Sequence, residues 1–499
     1  MSNRPLNIAK SMFFWRQLFA VLFSGSLLFP YIGNQPAQAK LSQYCQFSKK
    51  NVQQKESLRQ ATFLKGSRKA KKRYQTLISQ HAQTLKKCRG RNWPQTQALW
   101  LRLYPCDLKP GTLAQIMDRV VNQGYNQVYV ETFYDGQVLL PQNNNPTVWP
   151  SVVRGRGLEN ADLLAQAIQK GRERGLKVYS WMYTTNFGYS YARRKDRERA
   201  IARNGKGQTS LYLNTKGSEV FIDPYNMDAK RDYYRMVLEV MRRRPDGILF
   251  DYIRYPRQTG SKSIATKVTD LWIYSDATQK ALFGRAQNSK GLDLIRRFLR
   301  KGYVTAADIS DVDRKYPREG EPMWQGRIPK NTKSALIPSQ RQPLLQWDLW
   351  QLSVAHTMQG IVDFVNLATY PAKQQGIPAG VVFFPGGNRR VGRGFDSRLQ
   401  PWDRFSSSLQ WHPMSYANCG NTSCIVKQVQ RVLTTSKPGT KIFPALAGTW
   451  GRSVSNRPPL EQQMRSLRQY SSRIRGVSHF AYSWQYPQHD RARKFCRLR

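Results

Sequence analysis

The sequence predicts a parallel (β/α)8 barrel, and three observations carry that expectation. From about residue 97 to residue 482, short apolar runs alternate with amphipathic segments eight times. That alternation is the pattern of parallel strands joined by crossover helices. The turn pair Asp246-Gly247 opens the apolar run Ile248-Leu249-Phe250, which ends in Asp251 and then Tyr252, Ile253, Arg254, Tyr255 and Pro256. Such a run reads as a buried strand with charge at its end. No G-x-G-x-x-G follows the first strand and no P-loop occurs, which argues against the alternative, an open doubly wound sheet.

Residues 1–39 read as an export leader. Arg4, Lys10 and Arg16 precede an apolar stretch over 18–29, and Ala37-Gln38-Ala39 fits an A-x-A cleavage site. A single membrane anchor is the alternative, disfavoured by the shortness of the stretch. No later segment approaches spanning length, and no Cys follows the stretch closely enough for a lipid anchor. The mature chain is therefore expected to be soluble outside the cytoplasm: periplasmic, in the cell envelope or extracellular. Residues 40–93 form a basic segment with 15 Lys or Arg against one acid, Glu56. Rich in Gln, Lys, Arg and Leu, it predicts helix, and Gly66-Ser67 breaks it into a hairpin. The barrel is expected over 94–499. Its strands fall at 98–104, 127–132, 177–183, 247–251, 379–384, 409–414, 441–446 and 476–482. Helices fall at 112–122, 161–174, 228–243, 347–365, 425–434 and 460–471, the first two closed by Gly124 and Gly175. An insertion of about 257–345 follows the fourth strand. It is too long for a plain loop, and its place after a strand's C-terminal end marks it as a lid or subdomain over the active-site face.

Six cysteines in an exported chain suggest disulfides, with 15 possible pairings. A helical hairpin brings its outer ends together, which favours Cys45–Cys88. Cys419 and Cys424 flank a tight Gly420-Asn421 turn and favour a local bridge. In a closed barrel the eighth strand lies beside the first, which favours Cys106–Cys496. Five His and no C-x-x-C give no basis for a zinc site, and neither metal nor cofactor is expected. The net charge is +49. Such a field attracts polyanions. Behind a leader, envelope polymers or a membrane surface are better candidates than nucleic acid, with the segment 40–93 as the contact. A basic but unspecific surface is the alternative.

In this architecture chemistry sits at the C-terminal ends of strands. The carboxylates there are Asp251, Glu131 and Asp135, with Asp223 before the helix that leads into strand four. Tyr134, Trp181, Tyr183, Tyr252, Tyr255, Trp411, Tyr416, Trp450 and Trp484 crowd the same end. Aromatic faces with carboxyl groups suit carbohydrate, because glycoside cleavage needs an acid. Core packing is the alternative for many of these rings, and a structural hydrogen bond is the alternative for Glu131.

Several stretches together resemble the glycoside-hydrolase-like family 10 proteins, also called the domain-of-unknown-function 187 family. They are Gly124 through Thr132 with the following Gly136–Pro150 loop, Trp181, Ile222-Asp223-Pro224, Asp246 through Pro256, Pro413-Met414-Ser415-Tyr416, Glu461-Gln462 and Gly476 through Phe480. The run Asp246–Pro256 is the most diagnostic. The resemblance covers roughly residues 96–485 and implies a barrel acting on bacterial envelope polysaccharide, with peptidoglycan glycan strands a target. Two departures stand out: Leu409 occupies the position where the family often carries an Asp, and the 257–345 insertion is longer than the family core. The expectation is a secreted glycoside hydrolase with Asp251 as essential carboxylate and Glu131 as second candidate. Arg254 would orient Asp251, and Trp181, Tyr183, Tyr255, Trp411, Tyr416 and Trp484 would hold the sugar. A substrate carrying 2-acetamido groups could supply its own nucleophile, leaving one carboxylate sufficient. A non-catalytic glycan-binding protein and a basic scaffold with an inert barrel are the alternatives.

Overall fold

The structure is a computed structural model that describes residues 41–212, 219–329 and 336–498. The expected leader, 1–39, lies outside the described residues. Leu41–Arg499 form one compact unit.

Eight parallel strands close on themselves. They are β1 (Thr96–Leu101), β2 (Gln127–Tyr134), β3 (Lys177–Tyr183), β4 (Gly247–Asp251), β5 (Ala379–Phe383), β6 (Gln410–Ser415), β7 (Ala445–Ala447) and β8 (Gly476–Phe480). Each pairs with the next in sequence, and β8 pairs back onto β1 through Thr96 and Gly476. The barrel is therefore a closed (β/α)8 fold. The expected seventh strand is shortened because Pro444 has no N–H to donate to the ladder, so pairing resumes at Ala445.

Parity along the strands decides which side chains fill the interior. Tyr129 on β2, Tyr179 on β3, Leu249 on β4 and His412 on β6 pack inward, with Tyr129 and His412 edge-to-face at 5.5 Å. Glycines make room for them. A Cβ on Gly247 would fall 2.3 Å from the Tyr179 ring, and one on Gly380 would fall 2.7 Å from Leu249 and 3.0 Å from His412. Above this layer Trp100 of β1 spans the barrel, 4.8 Å from the Trp181 ring, with its Nε1 donating to Ser478 Oγ at 3.0 Å. These rings form a floor beneath the C-terminal end of the barrel.

The basic segment forms the helices α1 (Lys49–Phe63) and α2 (Arg68–Arg91), broken at Gly66, whose φ of 65° ends the first, and capped by Ser67. The hairpin is welded to the barrel rather than tethered to it. Arg89 is buried and donates to the carbonyls of Gly124 and Pro94 at 2.9 and 3.0 Å. Tyr74 donates to Asp118 at 2.6 Å, and Arg174 binds both. Lys49, Lys50, Lys69, Lys71, Lys72, Lys86 and Lys87 remain exposed on the outer face.

Disulfides join Cys45 to Cys88, Cys106 to Cys496 and Cys419 to Cys424. The insertion holds the helices Asp276–Phe283, Ser289–Lys301 and Ala306–Lys315, packed beside the long helix Pro338–Gln374. That helix greatly exceeds the predicted 347–365, because Pro343 and Pro371 lie near its ends and do not break it. Asp223, a candidate from sequence, anchors the insertion: its carboxylate accepts from the Thr278 N–H at 3.0 Å and from the Thr278 hydroxyl. Among the described residues no helix is long and apolar enough to cross a membrane.

Candidate active site

The barrel's C-terminal end holds a cavity of about 140 Å3 with Asp251 in its wall. Trp100 forms part of its floor, Trp181 and Tyr183 of β3 and Tyr252 line one side, and Val382, Phe384, Met414, Tyr416 and Phe480 line the other, with Arg254 at the edge. Asp251 is the last residue of β4, and the chain turns sharply after it. Tyr252 adopts a φ of 53°, an uncommon conformation for a bulky residue. This turn aims the Tyr252 N–H at the Asp251 carboxylate, 2.6 Å away. Trp181 Nε1 donates to the other oxygen at 3.1 Å. Burial nevertheless dominates and pushes the Asp251 carboxyl up to about 6, against the pull of those donors and of Arg254.

Glu131 lies nearby but is not among the residues that line this cavity. It is buried, held in bidentate fashion by the Nε–Nη2 edge of the Arg102 guanidinium (Nη2 to Oε1 at 2.9 Å), and accepts from the Tyr183 hydroxyl at 2.8 Å. Burial raises its carboxyl, and the Arg102 charge opposes that rise. The second sequence candidate therefore does not reach the cavity; Tyr183 is its link to it. Asp135 caps the same cluster, 3.3 Å from Arg102.

Three expected sugar platforms are elsewhere. Trp411 has the parity opposite to His412 and Met414, so it faces the helical layer, packed at 5.7 Å on both Phe383 and Trp402. Tyr255 is buried and donates to the Thr357 carbonyl at 3.4 Å. Trp484 is half-buried outside the cavity, edge-on to the lining Phe480 at 6.3 Å. Trp450 donates to the Tyr125 hydroxyl at 3.1 Å. Trp181, Tyr183 and Tyr416 do line the cavity. Arg254 lines it too, but as a separate group: its Nη1 donates to the Tyr255 carbonyl at 2.9 Å, and no carboxylate lies within 4.0 Å of it among the described residues. Instead of contacting Asp251, which it was expected to orient, it is enclosed between Phe221, Tyr252 and Phe384, at 5.2, 4.6 and 5.9 Å from its guanidinium.

The insertion, expected as a lid or subdomain over this face, contributes no lining residue to the cavity among the described residues, and its first residue, Arg257, lines the neighbouring cleft. Sequence reasoning missed Arg102, whose signal was a lone cation within the apolar run that follows β1. It also missed Glu219, which accepts from the Tyr252 hydroxyl at 3.3 Å and lines a second cleft of about 400 Å3. That cleft shares Tyr252, Arg254 and Phe384 with the cavity. No group of three or more His, Cys, Asp or Glu among the described residues is arranged to hold a metal ion.

Residues 103–292 match the family profile described as glycosyl hydrolase-like 10. The match runs from just after β1 through β4 and into the insertion, so it includes Glu131, Trp181, Asp251 and Arg254. Among solved structures the chain is similar to the PgaB (BpsB) glycoside hydrolase domain from Bordetella bronchiseptica, at 13% identity over 81% of this chain and 99% of that one, with a TM-score of 0.47. It is also similar to a GH18 chitinase from Pseudoalteromonas aurantia, at 9% identity over 80% and 98% of the two chains, with a TM-score of 0.36. A GH20 beta-N-acetylhexosaminidase from Streptomyces coelicolor A3(2) gives 10% identity, 79% and 60% coverage and a TM-score of 0.37. No curated protein matches.

Proposed function

We propose that this protein is a secreted glycosidase of the bacterial cell envelope, with Asp251 as its general acid. One observation carries the reading: a buried carboxyl, raised to about 6, lines an aromatic cavity at the C-terminal end of a barrel. A carboxyl in that range is partly protonated near neutrality and can give its proton to a departing glycosidic oxygen. The aromatic walls offer faces for sugar rings. Tyr183, oriented by Glu131, supplies a hydroxyl at the cavity's side. Asp251 is the single carboxylate in the wall among the described residues, which fits a substrate whose own 2-acetamido oxygen attacks the anomeric carbon. Peptidoglycan glycan strands supply such sugars. Export is supported by the leader-like residues 1–39 and by cysteines that are all paired among the described residues. The exposed lysines of α1 and α2 suit an anionic envelope polymer.

A glycan-binding protein without catalysis is the second reading, favoured by the same scarcity of carboxylates and by the capture of Glu131 by Arg102. The test is to incubate the mature chain and its Asp251→Asn form with peptidoglycan sacculi and with peptide-free glycan strands, and to analyse released fragments by mass spectrometry. Fragments from the unsubstituted chain alone establish the glycosidase. Retention of both forms on the glycan with no fragments establishes the binding protein.

A further inference from the structure

Arg254 is 6% exposed, and its guanidinium edge formed by Nε and Nη2 makes no hydrogen bond among the described residues. Only Nη1 is engaged, by the Tyr255 carbonyl. Burying a cation without a counter-ion is costly. The three rings around it offset part of that cost through their faces, but rings do not accept N–H bonds as an anion does. Arg254 lines both the Asp251 cavity and the cleft that Glu219 and Arg257 also line. Alone, the 140 Å3 cavity is small beside the roughly 300–1,000 Å3 of ordinary ligand sites. A ligand that occupies cavity and cleft together passes directly over Arg254.

We infer that Arg254 receives a carboxylate carried by the substrate, so that the ligand is an acidic sugar chain bound across the cavity and its neighbouring cleft. The assignment rests on the glycan reading above. A planar fork of two parallel N–H groups matches a carboxylate in bidentate fashion. A monoanion also fits the local charge better than a phosphate dianion, because Asp251 and Glu219 flank the position and repel a second negative charge. The carboxylate has two possible sources, a uronic acid or the lactyl ether of a peptide-free wall glycan.

The test is calorimetric titration of the full-length mature Asp251→Asn chain with uronic-acid oligosaccharides and with peptide-free wall-glycan oligosaccharides. Each ligand is also used after chemical reduction of its carboxyl groups to alcohols. A charge-assisted bidentate contact predicts roughly ten- to a hundredfold weaker binding of the reduced form, and the source is whichever ligand shows the loss. Because Arg254→Met risks the fold around three aromatic rings, the ligand-side change is the primary readout. Where the Met form folds by circular dichroism, it should bind acidic and reduced ligands alike. Equal binding of both forms by the chain with intact Arg254 overturns the inference and leaves the glycan reading standing. Persistence of the preference in the Met form also overturns it, assigning the effect to the basic surface. Binding of none of the ligands overturns the glycan reading and this assignment together.

Discussion

Asp251→Asn should make the protein more stable at alkaline pH and less stable at acid pH. Burial lifts this carboxyl from 3.8 to about 6, and one pH unit is worth about 1.4 kcal/mol. Ionising it in the folded state therefore costs about 3 kcal/mol more than in the unfolded chain. The sign follows from the raised value. Below the unfolded value the carboxyl is neutral in both states and no penalty exists. As pH rises through the folded value, the buried charge appears and stability falls. Asn removes the charge at every pH. It keeps an acceptor for the Tyr252 N–H but turns an amide N–H2 toward Trp181 Nε1, losing the 3.1 Å bond at about 1 kcal/mol. The variant should therefore be about 2 kcal/mol more stable than the parent near pH 8 and about 1 kcal/mol less stable near pH 3.

Urea denaturation of both forms near those two pH values measures this difference directly. Asp223 is also raised to about 6 by burial, but it titrates alike in both forms and cancels. A pH-independent difference would refute the argument that burial governs Asp251. A difference of opposite sign, with the parent gaining stability as pH rises, would show that the Arg254 field outweighs burial and that the carboxylate is held ionised.

If Asp251 is the general acid, glycan cleavage should fall about tenfold per pH unit above pH 6, followed by reducing-end release. Trp181→Phe removes a donor to the carboxylate form, so it should move that falling limb to higher pH. A limb that stays in place would detach Asp251 from the acid role. Arg102→Ala strands the buried Glu131 without its partner and should cost about 3 kcal/mol in denaturant unfolding, with loss of activity through Tyr183. Cys106–Cys496 closes a separation of 390 residues and Cys419–Cys424 one of 5. In the chain-entropy account, removing the first by Ser substitution should cost about 4 kcal/mol more than removing the second, read as the difference in unfolding free energy under non-reducing conditions.

The barrel was legible because its strands are buried on both faces and read as apolar runs, while Gly and Pro punctuate the connections. Disulfide partners followed once closure was assumed, since closure puts the ends of β1 and β8 side by side. Side-chain direction was less legible. Trp411 and Met414 lie three residues apart on one strand, so alternation sends them to opposite faces, and a count of aromatics near a strand end does not register that. Glu131 misled for another reason. Its own strand places it correctly, and only the fold brings Arg102 from β1 across to neutralise it.

The motif Asp251–Pro256 shows where sequence and site part company. Charge at the end of a strand reads as an ion pair between Asp251 and Arg254, three residues on. Tyr252 prevents it: with φ at 53° its N–H turns back to the carboxylate and the chain carries Arg254 away into a cage of rings. One backbone turn thus separates two opposite charges that composition would pair. It leaves an acid partly protonated near neutrality and a cation with an open edge on the same wall. Replacing Tyr252 with Gly would relax that φ without strain but remove the ring that supports Arg254. If separation of the charges matters for function, the Gly form should lose glycan binding and not just stability. Unchanged affinity in a folded Gly form would show that the backbone turn alone, without the ring, keeps the two groups apart.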